Sequence, residues 1–344
     1  MGRNHALDSL RGLAALAVAL GHCVLAVTGQ GAWALRLADF PGQDATSILA
    51  RLAHVAVPAD AAVLVFFALS GHVLWAACAR HPGGLLTGLP DWTLARLYRL
   101  LPVAMASALP LGLLAEAGAE RLIGNMLLLR TDLNGPAWSL QVEMVASLGL
   151  FLVHRAVGGR GRGLAIAFAL SVLLLPLLRG VLPMAVYFPV FLAGALVVDM
   201  PRRLWQGAVP WLGLAALLLG SLLLGRGGAG RAVESLGAVL VVAAVAHRRP
   251  AWLLGPALLG LGRISYPFYL SHGLGLALAA PWAAQVGIVL GPAAQVAALA
   301  LLSLAIALPV AWLLHLGVEA PLMQARPRLP APRGAGERVK HLAS

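Results

Sequence analysis

The chain has 344 residues, of which 60% are hydrophobic and 11% are charged. Soluble domains carry about 25% charged residues, so this composition excludes an ordinary soluble globular protein and is typical of a multi-pass membrane protein. The formal net charge is +12, and the two cysteines, Cys23 and Cys78, lie in apolar runs and predict no disulfide framework.

Ten apolar runs predict ten transmembrane helices. A helix needs roughly 17–25 mostly apolar residues to cross ~30 Å of hydrocarbon, and recurring runs close to that length leave no soluble domain of useful size between them. The predicted fold class is therefore an all-α polytopic membrane protein with one helical core. The predicted spans are residues 7–27, 58–79, 100–116, 137–154, 164–178, 184–198, 209–224, 232–246, 264–284 and 292–316.

Arginine is distributed unevenly between the two sides of these spans. Cytoplasmic loops are enriched in Lys and Arg, so the arginine-rich side is predicted to be cytoplasmic, with both termini on it. This asymmetry explains the net charge, and the dispersed arginines lack the aromatic interleaving of a nucleic-acid surface, so no nucleic-acid partner is expected. The arginine-rich segments are residues 1–6, 80–99, 155–163, 199–208, 247–263 and 317–344.

The composition also suggests how the chain is divided. Asp8 and Arg11 interrupt the first apolar run, and no small-residue cleavage site follows, which is not the pattern of a cleavable signal peptide. Residues 1–322 form the predicted membrane domain, and residues 323–344, rich in Pro, Arg and Gly, predict a basic, disordered cytoplasmic tail. In the long external loop, the stretch WALRLADF at 33–40 indicates a short interfacial helix.

The first span, LDSLRGLAALAVALGHC, contains two ionisable groups, Arg11 and His22. Eleven residues of helix span ~16 Å and three turns, which brings both side chains onto nearly the same face. Ionisable groups inside a span are costly and are functional candidates by default. The alternatives are an arginine that snorkels to the interface and a structural, hydrogen-bonded histidine.

The fourth span begins GPAWSLQVEM and places Glu143 about two turns below the outer surface, close to the predicted depth of His22. A carboxylate at matched depth would orient the imidazole and raise its basicity. We therefore expect a His22–Glu143 hydrogen-bonded pair, with a purely structural bridge between the two helices as the alternative.

Three further stretches carry polar groups near the predicted cytoplasmic side. LARLYRLLP places Arg96 and Arg99 on one helix face, a spacing suited to phosphate, although ordinary positive-inside charge would give the same pattern. RISYPFYLSH begins with Arg263 and ends with a histidine that either lines a cavity or packs as a polar contact. VEAPL contains Glu319, which an arginine such as Arg11 or Arg263 is expected to neutralise.

Together these stretches resemble the acyltransferase-3 family of membrane acyltransferases. The resemblance implies a stand-alone enzyme, without a fused hydrolase-like domain, in a bacterial inner membrane. It implies transfer of an acyl group, usually acetyl, from cytoplasmic acyl-CoA to a hydroxyl of an envelope glycan or an exported small molecule. The matching stretches, in the order of that family, are LDSLRGLAALAVALGH, FFALSGHVL, RLYRLLP, GPAWSLQVE, ISYPFYLSH and EAP.

The resemblance supports roles for specific residues. It implies that the histidine and arginine of the first span and the glutamate of the fourth span are essential. It also implies that the arginine pair, Arg96 and Arg99, binds coenzyme A. Two departures are His72, where the family often has phenylalanine after LSG, and Val145-Ala146 in place of an aromatic pair. No metal is expected. The predicted site comprises His22, Glu143 and Arg11 as catalytic groups; Arg96, Arg99 and Arg263 as donor-binding groups; and Ser139, Trp138, His272 and Tyr266 as substrate-binding groups.

Two other classes of function fit the composition. Intramembrane Arg, His and Glu also serve proton-coupled transporters of small solutes or glycan precursors, although no inverted internal repeat is evident. A non-catalytic scaffold would tolerate apolar replacement of the same residues. Acyl transfer in proteoliposomes distinguishes the enzyme from both.

Overall fold

A computed structural model describes residues 4–31, 34–159, 161–205, 207–225 and 227–327. The described residues form helices and loops without strands, which confirms the predicted all-α class. The tail predicted at 323–344 lies outside the described residues from position 328 onward. The α-helices are α1 (His5–Thr28), α2 (Ala45–Ala56), α3 (Ala59–Arg80), α4 (Leu85–Leu114), α5 (Ala119–Met126), α6 (Trp138–Val157), α7 (Gly161–Leu173), α8 (Leu175–Val181), α9 (Phe188–Leu196), α10 (Val209–Leu224), α11 (Gly228–Arg248), α12 (Pro256–Leu290), α13 (Pro292–Leu314) and α14 (Ala320–Ala325).

Within the described ranges, seven helical segments are long and apolar enough to cross a membrane. Helices α7 and α8 would add an eighth span as a pair, but they are bent by 66° at their junction. Two of the predicted spans are short apolar helices, at Pro183–Leu196 and Val209–Leu224. Each of the ten predicted spans therefore coincides with an apolar helical segment, while the count of ten crossings and the side on which the termini lie stay predictions.

Five helices form a closed ring around the interior of the bundle. Helix α1 packs on α3, α3 on α6, α6 on α4, α4 on α12, and α12 returns to α1. Helix α11 packs outside this ring against α3 and α1. Large apolar side chains such as Trp211, Trp282 and Leu313 are exposed on outward faces, as expected of surfaces that meet hydrocarbon rather than water.

Two glycines set the contact between α1 and α12, which run parallel. A Cβ atom at Gly12 would lie 2.8 Å from the backbone nitrogen of Gly262, and one at Gly262 would lie 2.6 Å from the carbonyl carbon of Asp8. Only glycine allows the two backbones to approach this closely. Because the helices are parallel, residues at equal distances beyond these glycines lie at equal height in the bundle.

The loop between α1 and α3 contains a helix that the sequence analysis did not predict. The expected interfacial helix at 33–40 is reduced, among its described residues, to a 3₁₀ turn at Leu37–Asp39. The longer helix is α2, capped by Asp44, whose carboxylate accepts a hydrogen bond from the backbone N–H of Ser47 at 3.0 Å. Helix α2 buries Arg51, whose guanidinium donates to the carbonyl oxygen of Leu35 at 2.6 Å.

Candidate functional site

Two cavities open toward opposite ends of the helix ring. We call the end where α1 begins the terminal face and the end where α1 finishes the distal face. The terminal cavity has a volume of about 870 Å³ and is lined by the beginning of α1, the middle of α4, the second half of α3 and the end of α11. The distal cavity has a volume of about 460 Å³ and is lined by the end of α1, the start of α3 and the start of α6.

Arg11 belongs to the terminal cavity. Its Nε donates to the hydroxyl of Ser265 at 2.8 Å, and its Nη2 lies 3.4 Å from the carbonyl oxygen of Gly262 and 3.5 Å from Asp8. The predicted stripe on α1 is confirmed, because Arg11 and His22 both contact α12. However, the two side chains open into different cavities, so Arg11 is not adjacent to the imidazole.

The arginine pair of α4 also lines the terminal cavity. The Nε of Arg96 is buried and has no hydrogen-bond partner among the described residues, and its guanidinium lies 5.2 Å from the ring centre of Trp92. Arg99 forms an ion pair with Glu319 at 3.3 Å. Glu319 was expected to pair with an arginine such as Arg11 or Arg263; it does pair with an arginine, but that arginine is Arg99.

Arg263 lies apart from this group, although it was predicted to bind the donor. Its side chain is exposed and is not part of the lining of the terminal cavity. On α12 the adjacent Gly262 faces α1, and Tyr266 points into the cavity and donates its hydroxyl to the carbonyl of Leu100. Successive helical residues are about 100° apart, so Arg263 lies on a different part of the helix surface from Gly262.

Glu143 does not pair with His22 in the structure. It lines the terminal cavity and accepts a hydrogen bond from Ser70 at 3.3 Å. Its helix face points into a different cavity from the one that His22 lines. Trp138 and Val142, one turn apart, line the distal cavity, whereas Ser139 and Glu143 line the terminal cavity. The first two turns of α6 thus separate the cavities, and the carboxylate lies on the other side from the imidazole.

The partner of His22 is a second histidine. Its Nδ1 lies 2.9 Å from Nε2 of His272, and the two rings are stacked with centres 5.1 Å apart. His272 is 2% exposed, and its Nδ1 lies 2.6 Å from the carbonyl oxygen of Tyr269. His272 was predicted to bind substrate; instead it contacts the candidate catalytic residue.

These distances fix the tautomers of the neutral pair. The carbonyl oxygen of Tyr269 only accepts hydrogen bonds, so Nδ1 of His272 carries the hydrogen and its Nε2 carries the lone pair. That lone pair accepts from Nδ1–H of His22. The remaining nitrogen of His22, Nε2, therefore has a free lone pair, and His22 lines the distal cavity. The imidazole is thus arranged as a base or a nucleophile, oriented by a second ring in place of a carboxylate.

Aromatic side chains close the space between the two cavities. Phe67 lines the terminal cavity, while its ring packs against Trp138 and Tyr187, which line the distal cavity. Nearby, the hydroxyls of Tyr269 and Ser139 lie 2.9 Å apart at the inner end of the terminal cavity. We call Phe67, Trp138, Tyr187, Ser139 and Tyr269 the aromatic partition.

Several lining residues were missed from the sequence. His54 and Asp60 line the distal cavity, and His72, the residue noted as a departure from the family, lines the terminal cavity. For the histidine pair a signal was present. His22 follows Gly12 by ten residues and His272 follows Gly262 by ten, and parallel helices that cross at these glycines bring both rings to the same height.

Comparison with known proteins identifies a family. The family model described as an acyltransferase domain matches residues 4–313, nearly the whole chain. Comparison with curated proteins and with solved structures gave no match. In the part of the chain that the structure describes, no group of three or more His, Cys, Asp or Glu side chains is placed to hold a metal ion.

Proposed function

The chain belongs to this acyltransferase family, and we propose that it moves an acetyl group from cytoplasmic acetyl-CoA across the membrane to a hydroxyl of an envelope glycan or an exported small molecule. The host membrane in this proposal is a bacterial inner membrane. One observation carries it: a histidine with a free lone pair lines one cavity, and a strongly basic cavity opens on the opposite face.

The terminal cavity suits the donor. Coenzyme A carries phosphates at one end and a long, thin pantetheine arm at the other, and guanidinium groups are the preferred protein ligands of phosphate. Arg96 and Arg99 line the cavity on α4, and the buried Nε of Arg96 has no hydrogen-bond partner among the described residues. Arg11 adds positive charge deeper in the cavity, where it would help to draw in the anionic donor.

The distal cavity suits the acceptor and the chemistry. The Nε2 of His22 removes the proton of an acceptor hydroxyl while the oxygen attacks the thioester carbonyl. The C–O bond forms, the C–S bond breaks, and the thiolate of coenzyme A leaves and takes up the proton. His272 accepts a hydrogen bond from Nδ1–H of His22 and stabilises the imidazolium of His22. A carboxylate has the same role beside the histidine of a catalytic triad. The same lone pair would allow His22 to carry the acyl group in a two-step reaction.

The partition imposes a condition on this mechanism. The thioester approaches from the terminal cavity and the base faces the distal cavity, so the acyl end of the donor must reach past the aromatic partition. Pantetheine is narrow enough to pass where a single aromatic ring moves aside. The rings of Trp138 and Tyr187 contact each other with centres 5.3 Å apart, and a sugar ring packed against this pair would lie in the cavity that His22 also lines.

Transfer of radiolabelled acetyl from acetyl-CoA in proteoliposomes tests the proposal. Purified wild-type protein is expected to label an acceptor fraction from envelope extracts, and His22→Ala to label none, because positioned proton transfer is worth ~10²–10⁴-fold. His5→Ala, an exposed histidine at the start of α1, is the matched control. Equal labelling by His22→Ala would refute the assignment, and solute movement without any acetyl transfer would favour the transporter.

A further inference from the structure

The terminal cavity contains a second pair of arginines, carried by different helices from Arg96 and Arg99. We propose that Arg80 and Arg249 form a separate phosphomonoester subsite that binds the 3′-phosphate of coenzyme A. The identity of the donor rests on the proposed function, whereas the subsite itself rests on the placement, charge and backbone of these two residues.

The two arginine pairs are carried by different helices. Arg80 is the last residue of α3, and Arg249 follows the last residue of α11. Helix α11 packs against α3, while α4, which carries Arg96 and Arg99, packs against α6 and α12. Both pairs line the same cavity of about 870 Å³. An anion that reached both pairs would therefore need two negative groups held apart.

The positive charge of the cavity is only partly compensated. Five arginines line it, against two carboxylates, Asp8 and Glu143. Asp8 is 3.5 Å from Arg11, and Arg99 already has Glu319 as a partner. Within the described ranges neither Arg80 nor Arg249 forms an ion pair. These two guanidinium groups are thus available to a ligand at the mouth of the cavity.

The backbone of Arg249 is unusual for an arginine. Its φ is +49° and its ψ is +62°, a left-handed conformation at the end of α11, and its N–H donates to the carbonyl oxygen of Val245 at 3.0 Å. Glycine or asparagine adopts this helix-ending conformation with less strain. The backbone does not require arginine there, and strain of this kind at a cavity points to a role for the side chain.

Coenzyme A has the matching chemistry. Its diphosphate links the pantetheine arm to the adenosine, and its 3′-phosphate is a separate phosphomonoester on the ribose. Arg96 and Arg99 would hold the diphosphate at the entrance to the arm, and a pair of planar guanidinium groups suits the dianionic monoester. The two arginine pairs thus correspond to the two phosphate groups of one molecule.

Acetyl-CoA and acetyl-3′-dephospho-CoA test the subsite directly. For wild-type protein, the KM for acetyl-CoA is expected to be about tenfold or more lower than the KM for acetyl-3′-dephospho-CoA, because the dephospho donor lacks the charge-assisted hydrogen bonds to the 3′-phosphate. Arg80→Gln and Arg249→Asn should raise the KM for acetyl-CoA to that of the dephospho donor without changing the latter. Arg96→Gln should raise both, and Arg248→Gln, on the neighbouring exposed arginine that does not line the cavity, should change neither.

The same variants also serve as controls for correct folding. Arg249→Asn relieves the backbone, so its melting temperature should be no lower than that of the wild type, and Arg249→Lys should keep part of the preference. Vesicles with and without phosphatidylglycerol separate a lipid headgroup from the donor phosphate. A wild-type activity that depends on the anionic lipid, with equal KM for the two donors, would overturn the subsite.

Failure of the subsite is distinguishable from failure of the proposed function. Equal KM values for the two donors with normal transfer would reject the subsite alone. If no transfer is observed, the subsite can still be tested by calorimetry, which compares the affinity of the protein for adenosine 3′,5′-bisphosphate with its affinity for adenosine 5′-monophosphate. The bisphosphate should bind about tenfold or more tightly to wild type, and Arg249→Asn should abolish that difference; equal binding of both nucleotides would overturn the subsite.

Discussion

Nδ1 of His22 lies 2.9 Å from Nε2 of His272, on two parallel helices that touch through glycine. This contact fixes which nitrogen of His22 is free, so His272 is expected to act as a positioning residue. His272→Ala should lower kcat by ~10²-fold or more through loss of ring orientation, whereas His272→Gln, whose side-chain oxygen accepts from Nδ1–H of His22, should recover part of it. Acetyl transfer from acetyl-CoA in proteoliposomes measures both.

The pH–rate profile separates positioning from simple structural support. Loss of the acceptor on Nδ1 destabilises the imidazolium of His22, so the acid limb of kcat should move to lower pH in His272→Ala. An unchanged acid limb with a reduced amount of folded protein would assign His272 a structural role only.

Glu143 offers a contrasting case, because it was expected beside His22 and lies instead in the terminal cavity with Ser70. Glu143→Gln should leave the acid limb of the pH–rate profile unchanged. The substitution should instead affect the KM for the donor. Removal of a negative charge near the phosphates should lower or preserve the KM for acetyl-CoA. A shift of the acid limb as large as that of His272→Ala would contradict the separation of the two cavities. Ser70→Ala, which removes only the hydrogen bond, is the matched control.

Phe67 is the residue of the aromatic partition that contacts both sides. Its ring centre lies 6.0 Å from that of Trp138 and 5.1 Å from that of Tyr187. Phe67→Ala should open a path for water from the distal cavity to the thioester, so acetyl-CoA hydrolysis without acceptor should rise severalfold, while Phe67→Leu should stay near wild type. Release of free coenzyme A thiol measures this, and an unchanged rate in Phe67→Ala would show that Phe67 does not keep water from the thioester.

Much of the fold could be predicted because apolar length alone identifies a membrane helix, and the stripe of Arg11 and His22 followed from helical periodicity. The pairing of His22 could not be obtained from depth alone. Glu143 and Val142 have nearly the same depth, but the 100° between neighbours directs them into different cavities. Which helices are adjacent depends on packing, and the ring that joins α1 to α12 was not predicted. The equal ten-residue offsets from Gly12 and Gly262 would have indicated it.

Outside the predicted spans, Asp132 organises the loop that leads into α6. Its carboxylate accepts from Asn125 at 2.9 Å and from Arg121 at 2.6 Å, and these two hydrogen bonds hold the pKa of Asp132 well below its ordinary value. A carboxyl whose pKa is lowered on folding stabilises the fold above the unfolded pKa and loses that contribution as pH falls toward the folded value.

Asp132→Asn should therefore lower the melting temperature most near pH 7. The difference from wild type should narrow as the pH falls below about 4, the ordinary pKa of an unfolded aspartate. Thermal melts of detergent-solubilised protein at several pH values measure it. Glu120→Gln is the control, because that carboxylate is 96% exposed and lies 3.8 Å from Arg130. A gap between Asp132→Asn and wild type that is the same at pH 7 and at about pH 2 would contradict the assignment.

The glycine contact between α1 and α12 should be the most sensitive packing position behind the site. Gly262→Leu places side-chain atoms where the backbone of Asp8 and Ser9 already lies. Overpacking of this kind costs about 1–3 kcal/mol, occasionally more, and separation of the helices would also break the His22–His272 contact, so stability and acetyl transfer should fall together. Gly260→Ala, two residues earlier on the same helix, meets no atom within 4 Å and should be neutral or slightly stabilising. Thermal melts and transfer assays on both variants measure this, and normal transfer by Gly262→Leu would show that the histidine pair does not depend on the close approach of the two helices.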